Sequence, residues 1–293
     1  MSIPDLTTKA LFSVEGKNAL ITGGGSGLGL MMAASLIQNG ANVIIASRKE
    51  EALRKSCEAL NALNRGKCYY VKADLGSRKG IDDLIAFTRK TFTKLNILVN
   101  NSGVTWGAPF NDFPEREGWD RLFNLNVKSI FYLTQGLTDL LSKDATNIDP
   151  GRVIIIASIA GLDPRPEGSA LTAPGHGLWS YHVTKAAAIQ LGNTLANTLS
   201  SNMITVNTIA PGIFPSKMTK FGFDEASKRL LRGQPMGRLG TPEDISGLLL
   251  QLVSRAGSHI TGTVVPLDGG ALNARRGGKS NTDKEVNLPK AKL

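Results

Sequence analysis

Tyr181 and Lys185, in the run Tyr181-His182-Val183-Thr184-Lys185, are the two side chains of this sequence best placed to move a proton together. On a helix, four residues of separation puts both on one face. An ammonium beside a phenol favours the phenolate and draws its pKa down from about 10 toward working pH, which proton exchange with a substrate oxygen requires. The same spacing also occurs on ordinary helix surfaces, so alone it leaves both roles open. His176 and His182 are acid/base types close by in sequence, yet no Ser/His/Asp pattern forms around them. They read as loop and helix-surface residues, with His176 near a substrate.

A second constellation lies near the start. Thr22-Gly23-Gly24-Gly25-Ser26-Gly27-Leu28-Gly29 follows a strand-like run and opens a helix-length segment. Glycines there permit a tight turn and close backbone approach, and the first N–H groups of the helix suit a pyrophosphate. A plain glycine-rich connection is the alternative. Ala46-Ser47-Arg48-Lys49 ends the next strand, where an NAD-preferring protein carries an acid for the ribose hydroxyls. Arg48 instead offers a planar cationic fork suited to a 2′-phosphate, with Lys49 in support, so NADPH is expected over NADH. The competing reading of Arg48-Lys49-Glu50-Glu51 is a solvated helix start.

Elements that could position these groups alternate along the chain. Strand-like runs cover Asn18–Thr22, Asn42–Ser47, Lys67–Lys72, Asn96–Asn100, Arg152–Ser158, Ile204–Ile209 and Thr263–Leu267, with helix-length segments between them. That order predicts an α/β fold, a parallel seven-stranded sheet covered by helices on both faces. Leu28–Asn39 reads as the first covering helix, ended by Gly40. Pro164, Pro166 and Pro174 rule out a regular helix in the insertion 163–178. The segment 214–235 is expected to include a short amphipathic helix. One domain is expected over 14–270, after an N-terminal extension (1–13) and before a flexible tail (271–293).

Composition narrows the function classes. The 293 residues are 41% hydrophobic and 20% charged, ordinary for a soluble globule. No run reaches the roughly 20 apolar residues of a membrane span, and the start lacks the pattern of a secretory signal. Cys57 and Cys68 are the only cysteines, and no Cys/His spacing suggests a metal site. Of the formal +10 charge, six basic residues against two acids fall between Ala274 and Leu293. The excess therefore sits largely in a tail, which argues against a nucleic-acid surface.

Taken in order, these motifs resemble the short-chain dehydrogenase/reductase family from about Val14 to Gly270. The opening turn is joined by Asp74-Leu75 after the third strand, Asn100-Asn101-Ser102-Gly103 after the fourth, Asn126, Ser158 after the fifth, Tyr181 with Lys185, and Pro211-Gly212 after the sixth. The resemblance implies a single-domain Rossmann fold and reduction of a ketone to a secondary alcohol, or the reverse. Tyr181 would protonate the carbonyl oxygen, Ser158 would hydrogen-bond it, Lys185 would hold the nicotinamide ribose, and Asn126 would hold a water linking Lys185 to solvent. Gly23, Gly25, Ser26, Gly27, Leu28 and Gly29 would carry the pyrophosphate, and Ser47, Arg48 and Lys49 the 2′-phosphate. Asp74 and Leu75 would meet adenine, Asn100 and Gly103 would line the adenosine side, and Pro211, Gly212, Ile213 and Ser216 would run along the nicotinamide. Asn126 bonding only a helix backbone, Asp74 capping a turn and Ser158 ending a strand are the plainer alternatives. Ser102 replaces the family's usual alanine, and 23 residues separate Ser158 from Tyr181, more than the family's usual spacer.

Phe214, Met218, Phe221 and Phe223 beside Lys217, Lys220, Lys228, Arg229 and Arg232 suit a cover for an acyl chain with an anionic handle; simple helix packing would use them equally well. The pattern is similar to bacterial 3-oxoacyl carrier-protein reductases, so a 3-oxoacyl thioester or another β-keto or secondary-metabolite ketone is the expected substrate. A non-catalytic NADPH-binding sensor or scaffold and a peroxisomal 2,4-dienoyl-CoA reductase-like enzyme are the alternatives. The resemblance also implies a homotetramer or homodimer pairing Trp119–Leu141 and Ser180–Ser200. Ala291-Lys292-Leu293 resembles a peroxisomal address read by an import receptor, the alternative location being the cytoplasm.

Overall fold

Strand runs that are apolar at nearly every position need cover on both faces, and the chain supplies it by returning through a helix after most strands. The computed structural model describes residues 3–167, 172–215 and 234–274. Its first half holds α1 (Thr8–Phe12), β1 (Asn18–Thr22), α2 (Gly27–Gln38), β2 (Asn42–Ser47), α3 (Glu50–Asn61), β3 (Cys68–Lys72), α4 (Arg78–Thr91) and β4 (Ile97–Asn100). A helical rod follows: π-helical turns at Glu115–Asp120 and Asn124–Lys128 flank α5 (Arg121–Phe123), and α6 (Ser129–Gly136) and α7 (Thr138–Ser142) continue it. Then come β5 (Gly151–Ile156), α8 (Trp179–Leu199), β6 (Ile204–Pro211), α9 (Pro242–Val253), β7 (Val264–Leu267) and α10 (Ala271–Ala274).

The seven strands form one parallel sheet in the order β3-β2-β1-β4-β5-β6-β7. Alternation along each strand divides the core in two. Ala19, Ile21, Val43, Ile45, Val99 and Ile154 face Met32 and Leu36 of α2 and Ile245 and Leu249 of α9. Leu20, Ile44, Leu98, Val153 and Ile155 face Leu84 of α4, Leu133 of α6 and Ala188 and Leu195 of α8. Each such side chain contributes about 1.5–3 kcal/mol on burial. Because the chain leaves the β3 edge to place β4 on the far side of β1, a crevice opens between the C-terminal ends of β1 and β4, the position where open sheets of this kind bind ligands.

The expected strands are all present: β1 and β2 have the expected boundaries and those of the other five shift by one or two residues. β5 stops at Ile156 rather than Ser158, because the Ser158 hydroxyl turns to accept the Ala160 N–H at 3.1 Å and caps a 3-10 turn over Ile159–Leu162. Residues 271–274, expected as the start of a flexible tail, are helical instead. Asp268 accepts N–H groups from Gly270 and Leu272 at 2.9 and 2.7 Å, which caps α10 and buries Ala271 and Leu272 against Ile159. Among the described residues, no helix is long and apolar enough to cross a membrane.

α8 carries the Tyr/Lys pair and is seated on the sheet at Gly192. A Cβ there would stand 2.5 Å from the Thr208 hydroxyl oxygen and 3.4 Å from Ile155 Cδ1. Gly192→Val is therefore expected to lift the helix from β5 and β6, costing about 1–3 kcal/mol in denaturant unfolding, and to lower turnover in the same preparation.

Candidate active site

The crevice is laced together by one hydroxyl. Thr22, 1% exposed at the end of β1, accepts the backbone N–H groups of Asn101 and Ser102 at 2.9 Å each. The Asn101 side-chain amide donates back to the Thr22 carbonyl at 2.8 Å. The loop after β4 thus lies against the glycine turn. Gly23 takes φ +68°, and a Cβ there would stand 2.7 Å from Asn101 Nδ2. At Gly29 a Cβ would stand 2.3 Å from the Gly23 carbonyl, so α2 could not start this close to the turn with any other residue. Ser26 makes no side-chain cap and no acid occupies the first turn of α2, whose positive end is left for an anion. Gly25 is buried, Gly27 has φ +54° and half-buried Leu28 packs on the core.

At the end of β2, Ser47 accepts the Lys49 N–H, while Arg48 and Lys49 are exposed. The nearby acids are turned to other partners, Glu51 to Arg54 at 2.7 Å and Glu50 to Lys72 at 3.7 Å. Among the described residues neither the Arg48 nor the Lys49 side chain is ion-paired. Asp74 is exposed and accepts the Gly76 N–H, so it does cap its turn, and the Leu75 side chain is buried in the core. Asn100 is buried and donates to the Thr134 hydroxyl at 3.2 Å. Pro211 ends β6, the Gly212 N–H donates to Leu267, and the Ile213 carbonyl accepts from Gly240. Ser216 lies outside the described residues, as do 217–233 of the expected cover and Ala291-Lys292-Leu293. The cradle of glycines, the open helix end and the unpaired Arg48 fit a dinucleotide that bears an extra phosphate on its ribose.

Lys185 is 5% exposed and donates to the Ile156 carbonyl at 2.9 Å. Its ammonium lies 5.7 Å from the centre of the Tyr181 ring. Burial lowers its pKa to about 8. The phenol moves the other way from the sequence expectation: burial raises the Tyr181 pKa, and a hydrogen bond with Ser158 only partly offsets this. In both groups burial disfavours the charged form, though Lys185 with a pKa of about 8 remains mostly an ammonium at neutral pH. The Tyr181 phenol is consequently held protonated, a form able to donate to a carbonyl oxygen. Gly103 leaves room at the ammonium, since a Cβ on it would stand 3.3 Å from Lys185 Nζ and 3.4 Å from Asn126 Oδ1.

Asn126 sits in the second π-helical turn, 1% exposed. Its Oδ1 accepts the Val104 N–H and its Nδ2 donates to the Val104 carbonyl, both at 2.9 Å, and also to the Thr184 hydroxyl at 3.1 Å. The side chain expected to hold a water is thus already engaged with the backbone after β4 and with α8. The plainer alternative describes its bonding, and its position beside Lys185 stands as well. Thr22, Asn101, Thr134 and Thr184 were not singled out from sequence. Thr22, Asn101 and Thr184 lie inside the motifs quoted for their neighbours, and nothing local marks Thr134.

A concavity of about 690 Å³ lies apart from the Tyr181/Lys185 pair. It is lined by Phe110, Phe113, Trp119, Trp179, His182 and Val183, on a different face of α8 from Tyr181 and Lys185. His182 Nδ1 lies 2.7 Å from the Asp163 carbonyl oxygen and ties the start of the insertion to the helix, a structural duty in keeping with the sequence reading.

Comparison with known proteins fits this geometry. The model of the short chain dehydrogenase family matches residues 17–226. The chain is 40% identical over 261 residues to the rhamnolipids biosynthesis 3-oxoacyl-[acyl-carrier-protein] reductase of Pseudomonas aeruginosa, covering 88% of this chain and 97% of that protein. It is 31% identical over 262 residues to a 3-oxoacyl-[acyl-carrier-protein] reductase of Thermotoga maritima, covering 88% and 99%. Among solved structures, the Pseudomonas aeruginosa RhlG/NADP active-site complex superposes with a TM-score of 0.81 at 39% identity, covering 90% of this chain and 99% of that one. This chain belongs to the short-chain dehydrogenase family.

The buried ammonium has a measurable cost. A pKa lowered from 10.5 to about 8 corresponds to roughly 3 kcal/mol at pH 7. The unfolded chain binds the extra proton between about pH 8 and 10.5, so this penalty fades as pH rises through that window. Lys185→Met should be about 1–3 kcal/mol more stable than the parent in denaturant titrations at pH 7. The gap should shrink by pH 10, and activity should be lost at both.

Proposed function

We propose that this protein reduces the ketone of a 3-oxoacyl thioester or a related β-keto compound to a secondary alcohol, using NADPH, and can run the reverse reaction. The chain is an NADP(H)-dependent oxidoreductase acting on a keto or hydroxyl group, as its family and relatives indicate. The observation that carries the reaction is the grouping of half-buried Ser158 and Tyr181 with buried Lys185, Ser158 bonded to the Tyr181 phenol and the Lys185 ammonium beside the ring. The β-keto substrate is supported by the relatives named for 3-oxoacyl reduction.

Bound NADPH supplies the hydride. The glycine turn and the N-terminus of α2 would hold its pyrophosphate, and Arg48 with Ser47 its 2′-phosphate. Lys185 would hold the nicotinamide ribose beneath Gly103. Ser158 donates a hydrogen bond to the substrate oxygen and orients it. Tyr181 then passes its phenolic proton to that oxygen, and the adjacent ammonium stabilises the phenolate left behind. With the phenol raised and the ammonium falling off above about pH 8, reduction is favoured on the acid side of that value.

NADPH consumption by the purified protein on a 3-oxoacyl-CoA and a panel of ketones checks the reading. Tyr181→Phe should lower kcat by about 10²–10⁴-fold with NADPH binding retained, and Arg48→Glu should raise KM for NADPH more than tenfold, roughly, while leaving KM for NADH nearly as it was. Full turnover by Tyr181→Phe would refute the mechanism.

We further propose that two or four copies assemble through the helical rod and α8. Phe131 and Val183 are 43% and 47% exposed on these elements. Mass measurement in solution should show a dimer or tetramer, and Val183→Glu should shift it toward smaller species; a monomeric parent would remove the proposal.

A further inference from the structure

The described residues of the insertion, 163–167 and 172–178, are tied to the rest of the fold. Ala108 and Gly177 form an antiparallel bridge, exchanging hydrogen bonds of 3.3 and 2.9 Å, and the Leu178 N–H donates to Pro166 at 2.9 Å. Ala173-Pro174-Gly175-His176 closes as a turn, with the His176 N–H on the Ala173 carbonyl at 3.1 Å and Gly175 at φ +77°. Proline then glycine at the two central positions is the pattern a type II turn demands, so His176 is delivered by a stiff support. Glycines let the insertion lie close. A Cβ on Gly107 would stand 2.9 Å from Thr172 Cγ2, and one on Gly177 would strike the Trp179 ring at 2.6 Å.

Where the insertion meets the segment after β4, a cavity of about 250 Å³ is lined by Thr105, Trp106, Thr172, His176 and Leu178, with Gly107 and Ala173. The Thr105 hydroxyl and the Trp106 indole N–H are both buried, and neither has a hydrogen-bond partner among the described residues. An indole N–H can only donate, so its natural partner is an acceptor. Buried donors left unpaired cost stability and call for an explanation. The cavity also opens off the two segments that hold the catalytic groups. Thr105 is two residues past Gly103, which faces Lys185, and Leu178 is three residues before Tyr181.

We propose that this insertion selects the substrate: its cavity receives a second oxygen of the substrate, a hydrogen-bond acceptor carried in addition to the carbonyl being reduced, with Thr105 and Trp106 as donors and His176 beside them. The proposal rests on the ketone-reductase reading above and deepens it. The thioester oxygen of a 3-oxoacyl chain has this chemistry, since it accepts and stands a short distance from the reacting carbonyl. A site built to hydrogen-bond an oxygen discriminates strongly against an analogue that lacks it, because its donors are then left buried and bare.

Two ketones of equal length test this, an ethyl 3-oxoacyl ester and an alkyl ketone with methylenes in place of the ester. Comparing variants with the parent cancels the intrinsic difference in reactivity between them. In Trp106→Phe and in Thr105→Val the ratio of kcat/KM, ester over plain ketone, should fall about tenfold, and further in the double variant. Unfolding midpoint and NADPH affinity establish that each variant is folded, and the near-isosteric Thr105→Val serves if Trp106→Phe is not. An unchanged ratio in folded variants means that water or nothing fills the cavity, and overturns the subsite while leaving the reductase reading intact. If the parent binds NADPH but reduces neither ketone, the reductase reading fails and the subsite falls with it.

Discussion

A lysine ammonium held out of water against one backbone carbonyl is the constraint around which the site is arranged. Lys185 gives up hydration for the Ile156 oxygen at the end of β5, and its lowered pKa measures that loss. Among the described residues no carboxylate pairs with it, so the charge is kept available for what enters the crevice. The same dehydration keeps the Tyr181 phenol protonated. Catalytic readiness is thus obtained at the expense of stability, and the two uninterrupted apolar layers on either side of the sheet are what allow the fold to carry that cost.

Position follows from topology. The chain ends β1, β4, β5 and β6 at one edge of the sheet, and each end presents a short motif there: the glycine turn, Asn100-Asn101-Ser102-Gly103, Ser158 and Pro211-Gly212. α8 then crosses above β5 and β6 with Gly192 as its closest approach, which fixes how far Tyr181 and Lys185 reach. The rod over Glu115–Gly136 widens into a π-helical turn at Asn126, whose side chain bridges the loop after β4 to Thr184 on α8. Strand ends, loop and helix therefore share a single frame.

Much of this was legible in the sequence because strand runs, glycine turns and the Tyr/Lys spacing are local signals. All seven strands, the parallel sheet and the place of every described motif at a strand end follow from them. What was not legible depends on contacts distant in sequence or on solvent exclusion. The direction of the Tyr181 shift is set by burial, which a four-residue spacing cannot report. Asn126 meets Val104 from 22 residues away, so its bonding shows only in the fold. α10 is a four-residue helix capped by Asp268, too short to leave a periodic pattern, and it moved the end of the globule past 270. The proline content of the insertion correctly excluded a helix, but nothing in it announced the bridge to Ala108.

Thr22 has a consequence for how such a protein can change over generations. One hydroxyl receives two N–H groups from the loop that backs Lys185, and the next residue in the chain begins the glycine turn. Alterations at that threonine are felt on both sides of the crevice, so selection cannot retune one half without disturbing the other. The described residues of the insertion beyond β5 make no bond to Thr22; they are joined instead by the bridge at Ala108, by His182 on α8 and by backbone bonds. Diversification has freer play there than at the junction, and new specificities can be tried on the periphery while the inherited chemistry stays in place.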